Sequence, residues 1–151
     1  MKIKIEVKKP DIDEIKAKVA AKNKRVLMKC MFKMEELAIG RAPFDTGFLR
    51  QRITLFPQIL ASQYILRSAA GYSADLEYGN SPRMVKFSDI MDWVERKGIR
   101  TSADNQYAFA AYVTKKIRTE GVNPHPYMRP SLHEVKEIWM PVFAKEEWGS
   151  D

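Results

Sequence analysis

The sequence predicts an α+β fold: a long N-terminal helix, an antiparallel β-sheet packed by helices, and a helical C-terminus. Three observations predict it. Apolar residues recur at helical spacing over residues 11–39, two β-rich segments follow, and glycines at 98 and 121 divide later stretches that again carry helical stripes. With 151 residues and no internal repeat, the chain suits one domain spanning 1–151.

Lys2 to Val7 reads as a short strand, because Ile3, Ile5 and Val7 alternate with Lys4 and Glu6; Pro10 breaks it. From Asp11 to about Ile39, the residues Ile12, Ile15, Val19, Val26, Cys30, Met34 and Leu37 form one stripe along a long helix. Asp11, Asp13 and Glu14 favour the positive end of its macrodipole, Gly40 is expected as the C-terminal cap, and Pro43 prevents continuation. A helix this long on so small a domain will project or pack against a neighbouring subunit.

Phe44-Asp45-Thr46-Gly47 is expected to turn, with positive φ at Gly47. Arg50–Phe56, with Ile53 and Leu55 on one face, and Ile59–Ala69 read as an antiparallel pair separated by Pro57-Gln58. Tyr72–Gly79 is a short apolar piece ending in a Gly-Asn-Ser-Pro turn. Ser88 is expected to cap a short helix through Lys97. Another should run from Thr101 or Ser102 to about Glu120, with Tyr107, Ala108, Ala111 and Tyr112 inward. Asn123-Pro124-His125-Pro126 is a stiff link. Pro130 suits the first turn of a last helix with the stripe Leu132, Val135, Ile138 and Trp139, which Pro141 should kink or stop.

Apolar content of 45% and charged content of 30% are ordinary for a globular protein. No apolar run approaches the length of a membrane span, so no membrane partner is expected. The first residues lack the continuous apolar stretch of a secretory signal, so the cytosol where the chain is made is the expected compartment. Cys30, the lone cysteine, reads as a small buried hydrophobe. The net charge of +7 is uneven. Residues 1–33 carry 11 Lys and Arg against 4 Asp and Glu, whereas residues 34–151 carry 15 of each. Lys22, Lys24, Arg25 and Lys29 are therefore candidates for docking on an acidic ring or facing DNA, or they form a solvated face. No aromatic residues interleave with them for base stacking.

Enzyme motifs are present only in fragments. Asp45-Thr46-Gly47 is the tripeptide of retroviral-type aspartic proteases, whose two aspartates share a proton across a dimer. That chemistry needs a buried apolar strand before the aspartate and a small residue after it; here Arg41-Ala42-Pro43 precede and Phe48-Leu49 follow. Pro10-Asp11 with Glu14-Ile15-Lys16 mimics a metal nuclease, but those residues crowd one helix start instead of separate strands. His133 and Glu137 share a helical face, yet zinc needs three or four ligands, and His125 sits in the Pro-rich link. Phosphate-cradling glycine loops and a nucleophile elbow do not occur. No catalytic, metal or cofactor site is expected.

Three segments in order carry a resemblance. They are Arg41-Ala42-Pro43-Phe44-Asp45-Thr46-Gly47-Phe48-Leu49-Arg50, then Tyr72-Ser73-Ala74-Asp75-Leu76-Glu77-Tyr78-Gly79, then His125-Pro126-Tyr127-Met128-Arg129-Pro130-Ser131-Leu132. Together they resemble the minor tail, or neck and tail-completion, family of long-tailed bacteriophages, related to the lambda-type minor tail protein Z. Ser73 separates Tyr72 from Ala74 where that family has them adjacent, and residues 83–122 read as a helical insertion present in some members.

The resemblance implies a non-enzymatic virion subunit, made in the host cytoplasm, that forms a ring, typically hexameric, on the tail axis. Its implied partners are copies of itself and the adjacent head–tail connector, tail terminator or tail tube proteins, with passing contact with genomic DNA. Structural turn and assembly candidates are Pro43, Asp45, Thr46, Gly47, Leu49 and Arg50; Glu77 and Gly79; and Pro126, Tyr127, Met128, Arg129 and Pro130. Two alternatives stay open: a tail terminator capping the tube, and a DNA-binding protein using the basic first helix.

Overall fold

The computed structural model describes residues 11–58, 63–99 and 103–149. The strand expected at Lys2–Val7 lies outside them, as does the helix start expected at Thr101 or Ser102. The fold class is the expected one: a long first helix, a two-stranded antiparallel sheet and a helical C-terminus.

Helix α1 spans Ile12–Arg41. The Asp11 carboxylate caps it, accepting from the backbone N–H groups of Asp13 (3.0 Å) and Glu14 (3.4 Å). Gly40 is not the cap. It lies inside the helix, and Ala42 ends it, with ψ at 130° and its N–H bonded to Ala38 O. Pro43 explains this, since the residue before a proline is driven out of helical geometry whether or not a glycine is near. Burial on α1 begins only at Cys30 and continues at Met34 and Ala38; residues 11–21 are all exposed.

Two short elements and a hairpin follow: α2 (Phe48–Gln51), β1 (Ile53–Gln58) and β2 (Gln63–Ser68). Arg50 is therefore helical, because positive φ at Gly47 (83°) launches one helical turn before the strand begins. Pro57 and Gln58 do not separate the strands. They pair with Tyr64 and Gln63, which a two-stranded sheet permits, since each strand is an edge and a missing N–H can face outward. Ile53 is buried and Leu55 half-buried, as their alternation requires; the Leu55 N–H donates to Glu35 of α1 (3.0 Å).

The segment Tyr72–Gly79 folds as α3 (Ser73–Tyr78). Helix α4 (Phe87–Arg96) takes Lys86, not Ser88, at its N-cap; Ser88 lies within the helix and its hydroxyl donates to Asp89. Helix α5 (Ala103–Glu120) turns the face opposite to the expected one inward. Tyr107, Ala108, Ala111 and Tyr112 are exposed, while Ala110 and Thr114 are buried. The segment is apolar on both sides, and Thr114 can be buried because its hydroxyl donates back to Ala110 O (2.7 Å).

The C-terminus forms one rod: α6 (Met128–Glu134), a π-helical turn (Val135–Trp139) and α7 (Met140–Trp148). Pro141 does not stop it. The Met140 N–H reaches back five residues to Val135 O, and this wide turn carries the helix past the proline. Leu132 and Ile138, expected in the stripe, are more than half exposed. The inward row is Ser131, Val135, Trp139 and Phe143, spaced by four like Cys30, Met34, Ala38 and Ala42 on the facing spine. Four residues overshoot an α-helical turn by about 40°, and the wider π turn at Val135–Trp139 offsets part of that drift along the C-terminal row.

Gly121 and Gly40 make opposite predictions. At Gly121 φ is 84° and an added Cβ would lie 2.0 Å from Asn80 O, so Gly121→Ala should cost about 2 kcal/mol or more. Around Gly40 nothing lies within 4 Å, so Gly40→Ala should stabilise the helix by about 0.5–1 kcal/mol. Urea denaturation of both variants checks the pair; a destabilised Gly40→Ala would contradict the helical position of Gly40.

Candidate functional site

The three sequence segments converge on one buried cluster. Ala42 and Leu49 come from the first, Tyr127 from the third, and Leu76 from the second packs against them, together with Ala38, Ile53 and Ala70. Segments two and three are also zipped by backbone. Asn80 and Val122 exchange both N–H···O bonds at 2.9 Å, and the His125 N–H donates to Leu76 O (2.6 Å). Gly79 sits in this zipper at φ 77°, where an added Cβ would meet Val122 O at 2.8 Å. That close approach is the physical demand for glycine there.

Glu77 locks the junction. Its side chain is buried, at 5% exposure, and its carboxylate accepts from the backbone N–H groups of Tyr127 (2.8 Å), Met128 (2.9 Å) and Arg129 (2.9 Å) and from Arg129 Nε (3.1 Å). The Arg129 guanidinium also donates to the Glu77 carbonyl (2.7 Å) and stacks over Tyr78. The carboxylate thus takes up N–H groups that the first turn of α6 leaves without intrahelical partners. Burial pushes the Glu77 carboxyl upward in pKa, but the donors outweigh burial and hold it below the usual carboxylate value. Ser131, next along α6, is fully buried, donates to Tyr127 O (2.6 Å) and accepts from Arg41 (3.1 Å), which also pairs with Glu134. Pro126 is exposed and Pro130 half-buried at the edges of this bracket.

A second feature lies at the turn. Phe44, Phe48, Tyr72, Leu76 and Trp93 line an open groove of about 370 Å³ that also includes Pro43 and the Asp45–Gly47 turn. Thr46 Oγ1 accepts from the Phe48 N–H (3.4 Å). Asp45 is exposed and paired with Arg96 (3.4 Å) and Lys97 (3.6 Å) of the α4 end, so its carboxylate meets cations, not a second carboxyl. Arg50 donates to Ala42 O (2.9 Å) and lies over the Phe44 ring; Arg52 lies over Phe48. Nothing local to residues 93–97 signals that Trp93, Arg96 and Lys97 approach a turn some fifty residues earlier.

The basic candidates are placed along α1 against α7. Arg25 pairs with Glu147 (2.7 Å), Lys29 with Glu147 (2.9 Å) and Glu146 (3.1 Å), and Lys22 lies over the Trp148 ring. Hydrogen bonds to Glu147 and Glu146 raise the Lys29 pKa, and those from Arg25 and Lys29 lower that of Glu147. Lys24 is exposed. Charge expected to meet DNA or another ring is therefore in part met within the chain. His125 and His133 are both exposed. Among the described residues, no three His, Cys, Asp or Glu side chains group to hold a metal ion, and no helix is long and apolar enough to cross a membrane.

Replacing Glu77 tests the lock. Glu77→Ala leaves three backbone N–H groups and Arg129 Nε without their acceptor and should cost about 3 kcal/mol in denaturant unfolding. The pH dependence has a definite sign. The native carboxyl holds its proton less tightly than the unfolded one, so its contribution is present above the ordinary value of 4.5 and is lost as pH falls through the lower native value. Glu77→Gln should flatten stability against pH in that acid range; an unchanged slope would show that Glu77 is not the group titrating. No family model, curated protein or solved structure matches the chain.

Proposed function

We propose that the chain is a structural virion protein: a subunit of a ring, expected to be hexameric, in the neck that completes a long tail and joins it to the head. In this reading the protein transforms no substrate and needs no cofactor. The observation that carries it is uncovered apolar surface on a small, internally well-satisfied domain. Ile12 is 64% exposed and Ile15 47% in the first turns of α1, and Phe44, Tyr78, Tyr107 and Tyr112 are each 60% exposed or more. Buried side-chain polar atoms, by contrast, all find partners among the described residues. A domain whose interior is satisfied and whose aromatics face outward is suited to bury surface against other chains.

The convergence of the three segments supports the same reading. Residues that carry the resemblance to tail-completion proteins pack into one cluster and bracket Glu77, and in this reading that bracket serves assembly. The partners would be copies of the chain and the adjacent connector, terminator or tube rings, with genomic DNA passing. Direct DNA binding through the first helix is the weaker alternative, because Arg25 and Lys29 are already bonded to Glu146 and Glu147.

Mass measurement in solution and composition of purified particles test the reading together. The expected results are a closed oligomer of the 17.5 kDa chain, near six copies, and its presence in tailed particles at ring stoichiometry. A chain that stays monomeric at every concentration and is missing from particles would overturn the proposal.

A further inference from the structure

We infer that the helical hairpin of α4 and α5 is a hinged arm, latched beside the aromatic groove by the Asp45 carboxylate, and that breaking the latch swings it away from the groove. This does not depend on the ring reading, since every contact involved lies within one chain. The arm has an interior of its own. Val94 and Ala110 are fully buried and Thr114 nearly so, and the Phe87 ring meets that of Tyr107 at 4.8 Å. Gln106 donates to the Ile99 carbonyl (3.0 Å), tying the start of α5 back to the end of α4. Among the described residues, none from 87–120 is a member of either buried cluster in the rest of the chain. Arm and body are thus two packing units, each closed around its own side chains.

Two narrow attachments hold the arm. At its root, where the chain enters and leaves, Asn80 and Val122 exchange backbone bonds, Arg83 pairs with Asp75 of α3 (2.8 Å), and Arg118 donates to the Val85 carbonyl (3.0 Å). Residues 81–86 form neither helix nor strand, so modest changes in their backbone angles turn the whole hairpin. Away from the root, the hydrogen bonds and ion pairs that reach the body among the described residues all come from the end of α4. Arg96 meets Asp45 at 3.4 Å; Lys97 meets it at 3.6 Å and donates to the Phe44 carbonyl (2.5 Å). The groove lies between the two units, with Trp93 on the arm side and Phe44, Phe48, Tyr72 and Leu76 on the body side. About 370 Å³ stays open there, so packing does not seal this seam. What closes it is a set of partly exposed charge pairs, and such pairs shift an equilibrium only a few-fold. Opening separates Trp93 from the aromatic residues of the body and widens the groove.

The test measures the distance between arm and body in the full-length chain. Spin labels go on Gln51→Cys in α2 and Ala108→Cys in α5, both exposed positions, while Cys30 is buried and left in place. Labelled chain is diluted with unlabelled chain, so that pulsed electron resonance reads pairs within one molecule. At low salt one short distance should dominate. Asp45→Ala should raise the longer-distance population about fivefold. Salt at about 1 M should do the same to the parent and add little to Asp45→Ala, because screening acts on the charges that the variant has already removed. Asp45→Lys should open the arm, and Asp45→Lys combined with Arg96→Asp and Lys97→Asp should close it again, an outcome that mere loss of local packing does not give. Circular dichroism and thermal unfolding close to those of the parent establish that each variant folds. Distances unchanged in Asp45→Ala and at high salt would show an arm fixed by packing and overturn the inference. Opening that ignores salt, or that the reversed charges fail to rescue, would overturn the latch.

Discussion

A carboxylate can stay charged away from water only where donors replace the water it has lost, and Glu77 is held in that way. Three consecutive backbone N–H groups and one guanidinium surround it. The arrangement ties α3 to the start of α6, and the backbone zipper from Leu76 to Val122 and His125 runs alongside. Much else depends on this joint. Tyr127, whose N–H is one of the donors, fills the centre of the cluster that also holds the end of α1 and the turn after it. If α6 were not fixed there, the C-terminal rod would have no defined direction along α1.

That direction matters because α1 is the spine of the molecule. From Lys22 onward the rod lies antiparallel along it, with Lys33 over Trp139, Lys29 over Phe143 and Lys22 over Trp148, and with Arg25 and Lys29 paired to glutamates. These are partly exposed contacts, each worth little alone. Their value is alignment, since they repeat on the side of a buried row at Cys30, Met34, Val135, Trp139 and Phe143. Among the described residues the rod reaches Trp148, and beyond it Val19, Ile15 and Ile12 on the stripe of α1 are exposed.

The turn at Asp45 illustrates how context decides chemistry. A tripeptide shared with aspartic proteases becomes, here, the lip of an aromatic groove, because arginine and lysine approach its carboxylate from α4. Among the described residues no other carboxylate lines the groove. What remains is an open groove lined by aromatic rings, with Arg50 over Phe44 and Arg52 over Phe48.

Several features were legible in the sequence for local reasons. The stripe of α1, the stop at Pro43, the positive φ at Gly47 and the antiparallel pairing of Ile53 and its neighbours follow from periodicity and backbone sterics, which act over a few residues. Glu77, Tyr127, Met128 and Arg129 could be singled out, but their mutual contact could not, because fifty residues of chain separate donor and acceptor. The inward face of α5 was misjudged for the same reason: Tyr107 and Ala110 are both apolar, and only packing chooses between them. The sequence alone determined the long first helix, its stop before Pro43 and the turn at Gly47, since those depend on neighbours in the chain. Only tertiary structure decided that Pro141 is passed by a π turn, that Arg25 and Lys29 are bonded within the chain, and that Trp93 faces Asp45's turn. Such outcomes depend on which surfaces meet in space, and that information belongs to the whole chain and to no single segment.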